Sequence, residues 1–266
     1  MKPPRSYLFV PATRPERIAK ALASGADAVI VDLEDAVAPA DKEPARRALS
    51  GWLDTHATPV YVRINAADSP WFAGDLALCG RAGIAGIAGI VLPKAQWPED
   101  VATVAAVAPV LPLIESARGI DNVRALAAAP RVQRLLFGAI DFALDLGIAD
   151  EREALLPYRA QLVLASKLAG LPAPVDGVTT ATDDDALVAA DTHYARRLGF
   201  GARLCIHPRQ VAPVHEAFAA TPAEVAWARR VLAAASASGG GAVQLDGRMI
   251  DRPVIAAAEK ILASLS

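Results

Sequence analysis

Ala28-Val29-Ile30-Val31-Asp32-Leu33-Glu34-Asp35 joins a short apolar run to a segment that carries three acids. The run is rich in β-branched residues and predicts a strand buried on both faces, as in a parallel sheet. Similar runs recur along the chain, and alanine-rich segments with helical character lie between them. About eight such units predict a closed (β/α)₈ TIM barrel, with an open doubly wound sheet as the alternative.

The barrel prediction depends on the following spans. Strands are predicted at Tyr7–Val10, Ala28–Val31, Val60–Ile64, Gly89–Leu92, Val110–Ile114, Leu135–Phe137, Ala173–Val175 and Ala202–Ile206. Helices are predicted at Pro15–Leu22, Glu43–Leu53, Glu99–Val107, Gly119–Ala128, Ala154–Ala169 and Asp184–Leu198. The seventh strand is the weakest of the set.

The pattern changes after Pro208, where helical segments replace the alternation. We therefore expect a barrel domain at 1–220 and a C-terminal helix, hinge and lid segment at 221–266. The stretch Ser236–Gly241 has the composition of a flexible hinge. The apolar last helix, which ends near Leu262, favours a lid or a dimer-type arm over a poorly ordered terminus.

Composition excludes several classes of protein. The 266 residues are 53% hydrophobic and 21% charged, which excludes intrinsic disorder. A net charge of -2 offers no basic excess for nucleic acid or for an anionic membrane, and no apolar run is long enough for a membrane helix. Two cysteines, Cys79 and Cys205, cannot form a disulfide framework, so we expect a cytoplasmic protein with free thiols.

Polar groups collect where the predicted strands end. They are Asp32, Glu34, Asp35, Arg63, Asn65, Lys94, Glu115, Asp141, Asp176 and His207. In a β/α barrel these strand ends all face one mouth, which is where active sites lie. The strand starts are poorer in charge, and this asymmetry favours a functional site over a solvated surface.

Glu115 and Asp141 are the best metal candidates. They follow adjacent predicted strands and offer hard oxygen ligands with no histidine or cysteine cluster nearby, which favours Mg²⁺ over Zn²⁺. The alternative is that both are paired with Arg63, Lys94 or Arg118 in a network of ions. Spacing alone does not separate these alternatives.

Arg63 lies inside an apolar strand, and a buried guanidinium needs an anionic partner. That partner is either a substrate carboxylate or one of the acids Glu34 and Asp35. The acids in turn resist ionising together, so one of them is a candidate base or a holder of water. The plainer alternative is a helix cap with salt bridges to Lys42 and Arg46.

Eight stretches, in order, resemble the citrate lyase β-subunit-like branch of the HpcH/HpaI aldolase superfamily. They are Phe9–Arg17, Asp32–Val37, Val62–Asn65, Leu92–Lys94, Ile114–Gly119, Phe137–Asp141, Cys205–Pro208 and Asp246–Pro253. The resemblance runs nearly from end to end. Each motif is weak alone, and together they are specific for the family but not for one substrate.

The resemblance implies a TIM-type barrel that assembles as a homotrimer, binds Mg²⁺ and cleaves or forms a carbon–carbon bond in an acyl-CoA. Citryl-CoA, malyl-CoA and methylmalyl-CoA are the substrates of such proteins, and a 2-oxo acid is the second product. By that analogy Glu115 and Asp141 hold the metal, and Arg63 contacts the oxygen of the 2-oxo acid.

The remaining roles follow from the same analogy. The backbone at Gly138 and Ala139 receives the carboxylate of the acid, and Glu34 and Asp35 hold water on the metal. Asp251 resembles an acid that the C-terminal segment of one subunit inserts into a neighbour's active site. Two arginines near the barrel mouth, Arg14 and Arg17, are the candidates for phosphate contacts.

Three other functions fit the same residues. A thioesterase acting on malyl-CoA would use water in place of carbon–carbon cleavage. A class II aldolase would act on free hydroxy-oxo acids, although the tail with Asp251 favours the CoA branch. A non-catalytic citrate lyase β subunit would need partner chains. Many relatives also have an acid where this chain has Ile140. Nothing is lost if only the backbone is used at that position, whereas substrate specificity is expected to differ if the side chain contacts substrate.

Overall fold

A computed structural model describes residues 3–81, 86–237 and 243–265. The chain divides into two compact units, of which the first ends at Glu216 and the second begins at Ala217. The predicted hinge lies outside the described residues from position 238 onward, and its first two residues end a helix. Within the described ranges, no helix has both the length and the apolar character needed to cross a membrane.

The first unit is a closed barrel of eight parallel strands, each hydrogen-bonded to its neighbours in chain order. The strands are β1 (Ser6–Pro11), β2 (Ala28–Asp32), β3 (Val60–Arg63), β4 (Ile87–Leu92), β5 (Val110–Ile114), β6 (Leu136–Phe137), β7 (Val175–Asp176) and β8 (Ala202–Cys205). Strand β1 also pairs with β8, which closes the ring. The barrel prediction is therefore confirmed, and the open sheet is excluded.

Helices surround the barrel and continue into the second unit. They are α1 (Glu16–Leu22), α2 (Lys42–Thr55), α3 (Phe72–Cys79), α4 (Pro98–Ala105), α5 (Ala117–Asp121), α6 (Val123–Ala127), α7 (Ala139–Leu146), α8 (Arg152–Leu168), α9 (Asp185–Leu198), α10 (Val211–Phe218), α11 (Pro222–Ala237) and α12 (Arg252–Ala263). Short 3₁₀ turns lie at Pro39–Asp41 and Pro208–Gln210.

The barrel interior is a packed apolar core. Buried side chains from the strands fill it, among them Tyr7, Ile30, Val91, Leu111, Leu136, Val175 and Leu204. Because each strand sends alternate residues inward, these side chains stack in the middle of the barrel and leave the two ends to polar groups. The core thus fixes where the carboxyl ends of the strands meet.

Several elements of the first unit differ from the sequence prediction. Helices α3 and α7 were not predicted, because both are short and α7 falls on the segment assigned to the site. The single helix predicted at Gly119–Ala128 is two helices that meet at Asn122. The seventh strand is shifted towards Asp176, and it pairs through Val175 with β6 and β8.

The second unit has its own small core. Helices α11 and α12 pack with a two-stranded antiparallel sheet of β9 (Val243–Leu245) and β10 (Arg248–Ile250). Asp246 and Gly247 have φ values of 51° and 76°, which suits the tight two-residue turn of a hairpin. Buried Val231 and Ile250 anchor the packing of this unit.

Candidate active site

A cavity of about 390 Å³ opens at the carboxyl ends of the barrel strands. Its polar wall consists of Asp32, Asp35, Arg63, Glu115, Gly138, Ala139 and Asp141, and the rest of its lining is apolar. The sequence prediction that polar strand ends meet at one mouth holds for these residues. Their arrangement decides what the cavity can bind.

Arg63 is clamped by the acids of β2 and of the loop that follows it. Its Nε and Nη2 donate to the two carboxylate oxygens of Asp32 at 2.7 and 2.5 Å. Its Nη1 lies 3.0 Å from Glu34 Oε2 and 3.4 Å from Asp35 Oδ2. The ring of Phe9 covers the guanidinium at 4.8 Å. These contacts raise the pKa of Arg63 and outweigh the effect of its burial, so it stays charged.

Asp32 also builds the turn that positions these acids. Its carboxylate accepts the backbone N–H groups of Glu34 and Ala36 at 2.8 and 3.2 Å. Lys42 does not form the expected salt bridge, because its Nζ donates to the backbone carbonyls of Leu33 and Glu34. The sequence interpretation missed Asp32 as the main partner of Arg63, although its place as the last residue of a strand was a usable signal.

Arg46, the other cation of that alternative, turns away from these acids. Its Nε donates to Asp75 at 2.8 Å and its Nη1 donates to Glu43 at 2.6 Å. Salt bridges from Lys42 and Arg46 to the acids of the turn were therefore a wrong expectation. The reason is that a nearby buried carboxylate offers Arg46 a closer partner.

The carboxyl group of Glu34 is buried, and one of its two oxygens accepts a hydrogen bond. Lys94 Nζ donates to Glu34 Oε1 at 3.0 Å. Among the described residues, Oε2 of Glu34 is buried and makes no hydrogen bond, although Arg63 lies close to it. Burial and the charge of Asp35 raise the pKa of Glu34 to about 7, against the lowering effect of Arg63 and Lys94. Glu34 can therefore exchange a proton near neutral pH.

Glu115 is a buried acid of the cavity. The backbone N–H of Lys94 donates to Glu115 Oε1 at 2.7 Å, and Lys94 adopts a φ of 48° that aims this N–H inward. The other oxygen packs against the backbone of Gly138, where a Cβ atom would collide with it. Burial, with the charges of Glu34 and Asp141, raises the pKa of Glu115 to about 8.

Asp141 and the backbone at Gly138 and Ala139 complete the polar wall. Gly138 precedes α7, and the first N–H groups of a helix have no acceptor within the helix. The N–H of Gly138 is already in use, because it donates to the carbonyl of Ile114 at 2.9 Å. The N–H groups that follow it in the first turn of α7 can receive an anion such as a carboxylate. Asp141 lies in the first turn of α7, half-buried, and its charge acts on Glu115.

The donor set fits Mg²⁺. Neither Glu115 nor Asp141 forms an ion pair within the described part of the chain, so the expected alternative of a closed ion network is not what the structure shows. No group of three or more acids, histidines or cysteines with metal-binding geometry occurs there either. Mg²⁺ is commonly bound by one or two protein carboxylates and keeps its remaining ligands as water or substrate oxygens.

The remaining predicted residues lie elsewhere. Arg14 and Arg17 are exposed in the segment that follows β1 and do not line the cavity. Asp251 belongs to the second unit, where its side chain accepts the N–H of Val254 at 3.3 Å and caps α12. His207 caps the 3₁₀ turn after β8 by accepting the N–H of Arg209.

Known proteins resemble this chain over nearly its whole length. Residues 5–208 match the family described as HpcH/HpaI aldolase/citrate lyase. A citrate lyase subunit beta-like protein of Deinococcus radiodurans is 37% identical and covers 97% of this chain and 96% of its own. A (3S)-malyl-CoA thioesterase of Cereibacter sphaeroides is 35% identical, with 98% and 94% covered. An L-malyl-CoA/beta-methylmalyl-CoA lyase of Rhodobacter capsulatus is also 35% identical, with 97% and 93% covered.

Solved structures of citrate lyase-type proteins are also similar to this chain. CitE from Mycobacterium tuberculosis in complex with magnesium, acetoacetate and coenzyme A is 36% identical, with a TM-score of 0.89, and covers 98% of this chain and 97% of its own. A citrate lyase beta subunit of the same organism, complexed with oxaloacetate and magnesium, is 34% identical with a TM-score of 0.73, and covers 81% and 96%.

Proposed function

Because the chain belongs to the HpcH/HpaI aldolase/citrate lyase family, we propose that it is a Mg²⁺-dependent carbon–carbon lyase of 3-hydroxyacyl-CoA thioesters. Its products would be acetyl-CoA, or a related acyl-CoA, and a 2-oxo acid. Relatives of this chain are named both as a lyase and as a thioesterase, so the family alone does not choose the reaction.

One observation carries the proposal. Glu115 and Asp141, which form no ion pair among the residues that the structure describes, line the same cavity as the N-terminus of α7 and the guanidinium of Arg63. The carboxyls can hold Mg²⁺, the N–H groups can hold a carboxylate, and Arg63 can donate to a carbonyl oxygen. A 2-oxo acid offers a carboxylate next to a carbonyl, and this site would bind both.

Each residue has a defined part in cleavage. When bound, Mg²⁺ would act as a Lewis acid that stabilises negative charge on the hydroxyl oxygen as it becomes the carbonyl. Arg63 would donate to that same oxygen, while the N–H of Ala139 at the start of α7 would hold the carboxylate in place; the N–H of Gly138 already donates to Ile114 O. Glu34 and Asp35 would orient water by hydrogen bonds, and Glu34 would take up the proton of the substrate hydroxyl through that water as the hydroxyl oxygen becomes the carbonyl oxygen.

The bond between the carbinol carbon and the α-carbon of the thioester breaks in this reaction. The electron pair goes to the α-carbon as an enolate, which takes one proton to give the acyl-CoA. We propose that Asp251 donates that proton. This Asp251 would belong to the C-terminal segment of a neighbouring copy in a homotrimer. Arg14 and Arg17 are the proposed contacts for the CoA phosphates, since both are exposed cations at this end of the barrel. A cytoplasmic location stays a prediction.

Hydrolysis of the thioester is the second candidate. The pKa of Glu34, raised to about 7, suits a base that removes a proton from water near neutral pH. The same cavity would then release free CoA and a hydroxy acid in place of a 2-oxo acid. The class II aldolase and the partner-dependent subunit remain as outcomes of the test.

The test is an assay with Mg²⁺ that follows 2-oxo acid and free thiol separately, with malyl-CoA, methylmalyl-CoA and citryl-CoA. Release of 2-oxo acid without thiol supports the lyase, and release of thiol alone supports the thioesterase. Glu115→Ala and Asp141→Ala should each abolish turnover and Mg²⁺ binding together. Full turnover in EDTA would contradict the metal assignment. No turnover with metal bound would favour an aldolase of free acids or a subunit that needs partners.

A further inference from the structure

A second cavity, of about 140 Å³, lies beside the carboxyl end of β7, and we call it the β7 cavity. Its walls come from α8, α9, β8 and the loop after β7. Among the described residues, its lining has Ala139 and Val178 in common with that of the candidate active site. The volume holds about four or five waters at about 30 Å³ each, which is too little for a coenzyme but enough for an anion of a few atoms.

The inner wall of the β7 cavity carries more positive than negative charge. Arg159 and Arg203 are both buried, and they share one buried carboxylate, that of Asp176. Arg159 Nε donates to Asp176 Oδ1 at 3.0 Å, and Arg203 Nη1 donates to Asp176 Oδ2 at 3.3 Å. A buried charge without a counterion is costly, and two guanidinium groups on one carboxylate leave one positive charge to be balanced.

Arg159 is the cation of this pair that lacks hydrogen-bond acceptors. A guanidinium has five N–H groups, and within the described residues Arg159 uses the one on Nε. Its Nη1 is buried and has no hydrogen-bond partner there. Arg203, in contrast, also donates from Nη2 to the hydroxyl of Thr179 at 2.9 Å. The edge of Arg159 formed by Nη1 and Nη2 is therefore unpaired, and such an edge binds a carboxylate or a phosphate through two N–H groups.

The other acids of the lining do not balance this charge. Asp191 accepts from Arg152 at 2.8 Å through Oδ1 and from Thr179 at 2.8 Å through Oδ2, so its charge is matched by Arg152. Asp150 and Glu151 line the cavity as well, but both are exposed. Water and salt screen an exposed charge, so the buried guanidinium groups dominate the inner wall.

The N-terminus of α8 adds a second attraction for an anion. This helix has 17 residues, and its first residue, Arg152, lines the β7 cavity. Glu151, directly before it, makes no side-chain hydrogen bond that caps the helix. The first N–H groups of a helix have no acceptor within it, and the helix dipole favours negative charge at this end.

We propose that the β7 cavity binds one small oxyanion, a phosphate or a carboxylate, on the unpaired edge of Arg159. The anion would balance the buried positive charge and lie near the N-terminus of α8. In barrel enzymes the loops after the seventh and eighth strands often form phosphate sites, and the β7 cavity lies at that end of the barrel. The proposal concerns binding and does not depend on which reaction the chain catalyses.

Thermal unfolding of the EDTA-treated, dialysed full chain tests the proposal. Phosphate, acetate and chloride are compared near neutral pH at constant ionic strength. The Tm should rise with phosphate or with acetate and saturate as binding to one site does, whereas chloride should give no saturable rise. Tighter binding of phosphate would identify a phosphate ligand, and tighter binding of acetate a carboxylate. If neither anion raises the Tm above its value in chloride, the proposal is wrong.

Matched variants locate the anion. Leu187 lines the β7 cavity and Ile206 lines the candidate active site, and each is 41% exposed. Leu187→Glu should weaken the binding of phosphate at least about threefold relative to Leu187→Gln, because the two side chains differ in charge and hardly in size. Ile206→Glu and Ile206→Gln should differ less. No difference in the Leu187 pair, or an equal or larger one in the Ile206 pair, would overturn the proposal.

Arg159→Met removes the proposed anchor of the anion and keeps an unbranched side chain. Phosphate affinity should fall at least about tenfold, because hydrogen bonds to a charged group are lost. Asp176 keeps Arg203 as its partner, so we expect the variant to fold. A folded variant with unchanged phosphate affinity would contradict the assignment of Arg159. If the variant does not fold, the Leu187 pair still decides.

Discussion

Gly138→Ala tests the link between the fold and the metal site directly. The φ of Gly138 is -91°, so the backbone itself would accept alanine. The added Cβ would lie 2.6 Å from Glu115 Cβ and 3.3 Å from Glu115 Cδ. Carbon atoms in contact normally lie about 3.5–4.0 Å apart, so the Glu115 side chain must retreat by roughly 1 Å.

That retreat should weaken Mg²⁺ binding. Changes that misplace a metal ligand typically cost about 10–100-fold in affinity, which is about 1.4–2.7 kcal/mol. The assay is titration of Mg²⁺ into EDTA-treated, dialysed protein by calorimetry, with thermal unfolding as a check that the variant is folded. We expect turnover to fall with the affinity and to recover in part at high Mg²⁺.

Gly51→Ala is the matched control. Gly51 lies in α2, and an added Cβ there would meet no atom within 4 Å. The change should stabilise the helix by about 1 kcal/mol and leave Mg²⁺ binding unchanged. A folded Gly138→Ala protein that binds Mg²⁺ as tightly as the original chain would refute the reasoning, because Glu115 would then not be a ligand held by this close approach.

Four further predictions follow, three from the charged network of the cavity and one from the C-terminal segment. Since burial raises the pKa of Glu115 to about 8, the metal-free protein should lose stability, on the order of a few kcal/mol, as pH rises from about 4.5 to 8 in urea unfolding. Mg²⁺ binding at pH 7 should release close to one proton, and a calorimetric count near zero in buffers of different ionisation enthalpy would contradict that pKa. Asp32→Asn should cost about 3–5 kcal/mol in urea unfolding, because it strips the buried Arg63 of its main partner. The exposed pair of Asp54 and Arg81 gives the control, where Asp54→Asn should cost about 0–1 kcal/mol. Asp251→Asn should lose turnover but keep Mg²⁺ affinity, and unchanged turnover would remove Asp251 from the mechanism.

The barrel could be predicted because its signal is repeated. Each buried strand shows the same apolar run, so an error at one strand, such as the weak seventh, does not change the closed ring. Helix α7 was not predicted because its eight residues begin within the stretch that was assigned to the site. Site residues and a helix do not exclude each other, because the first turn of a helix can carry both an aspartate and N–H groups that have no acceptor within the helix. Its first turn is what brings Asp141 to the cavity.

The partners of the charged residues could not be predicted in the same way. Sequence spacing showed that Arg63 needed an anion and offered two acids, but the barrel register places Asp32 directly beside it on the neighbouring strand. Register is set by the closure of the whole sheet and is not visible in a single strand. For the same reason the sequence could not exclude the alternative that paired Arg46 with the acids of the turn, whereas in the fold Arg46 pairs with Asp75.

The hydrogen bonds between Arg63 and Asp32 give a reason why the proposed site would combine a metal with a helix terminus. An unclamped arginine would bind the carboxylate of a 2-oxo acid by itself, and it would bind the substrate as tightly as the transition state, which accelerates nothing. Asp32 accepts hydrogen bonds from Nε and Nη2 of Arg63, so Arg63 keeps a single N–H for the oxygen on which charge develops. In the proposed mechanism the carboxylate would then bind the N–H groups before Asp141, and the developing charge would be shared between Arg63 and a cation bound by Glu115. The raised pKa of Glu115 is the cost of keeping that acid buried before the cation binds, and binding of the cation removes it.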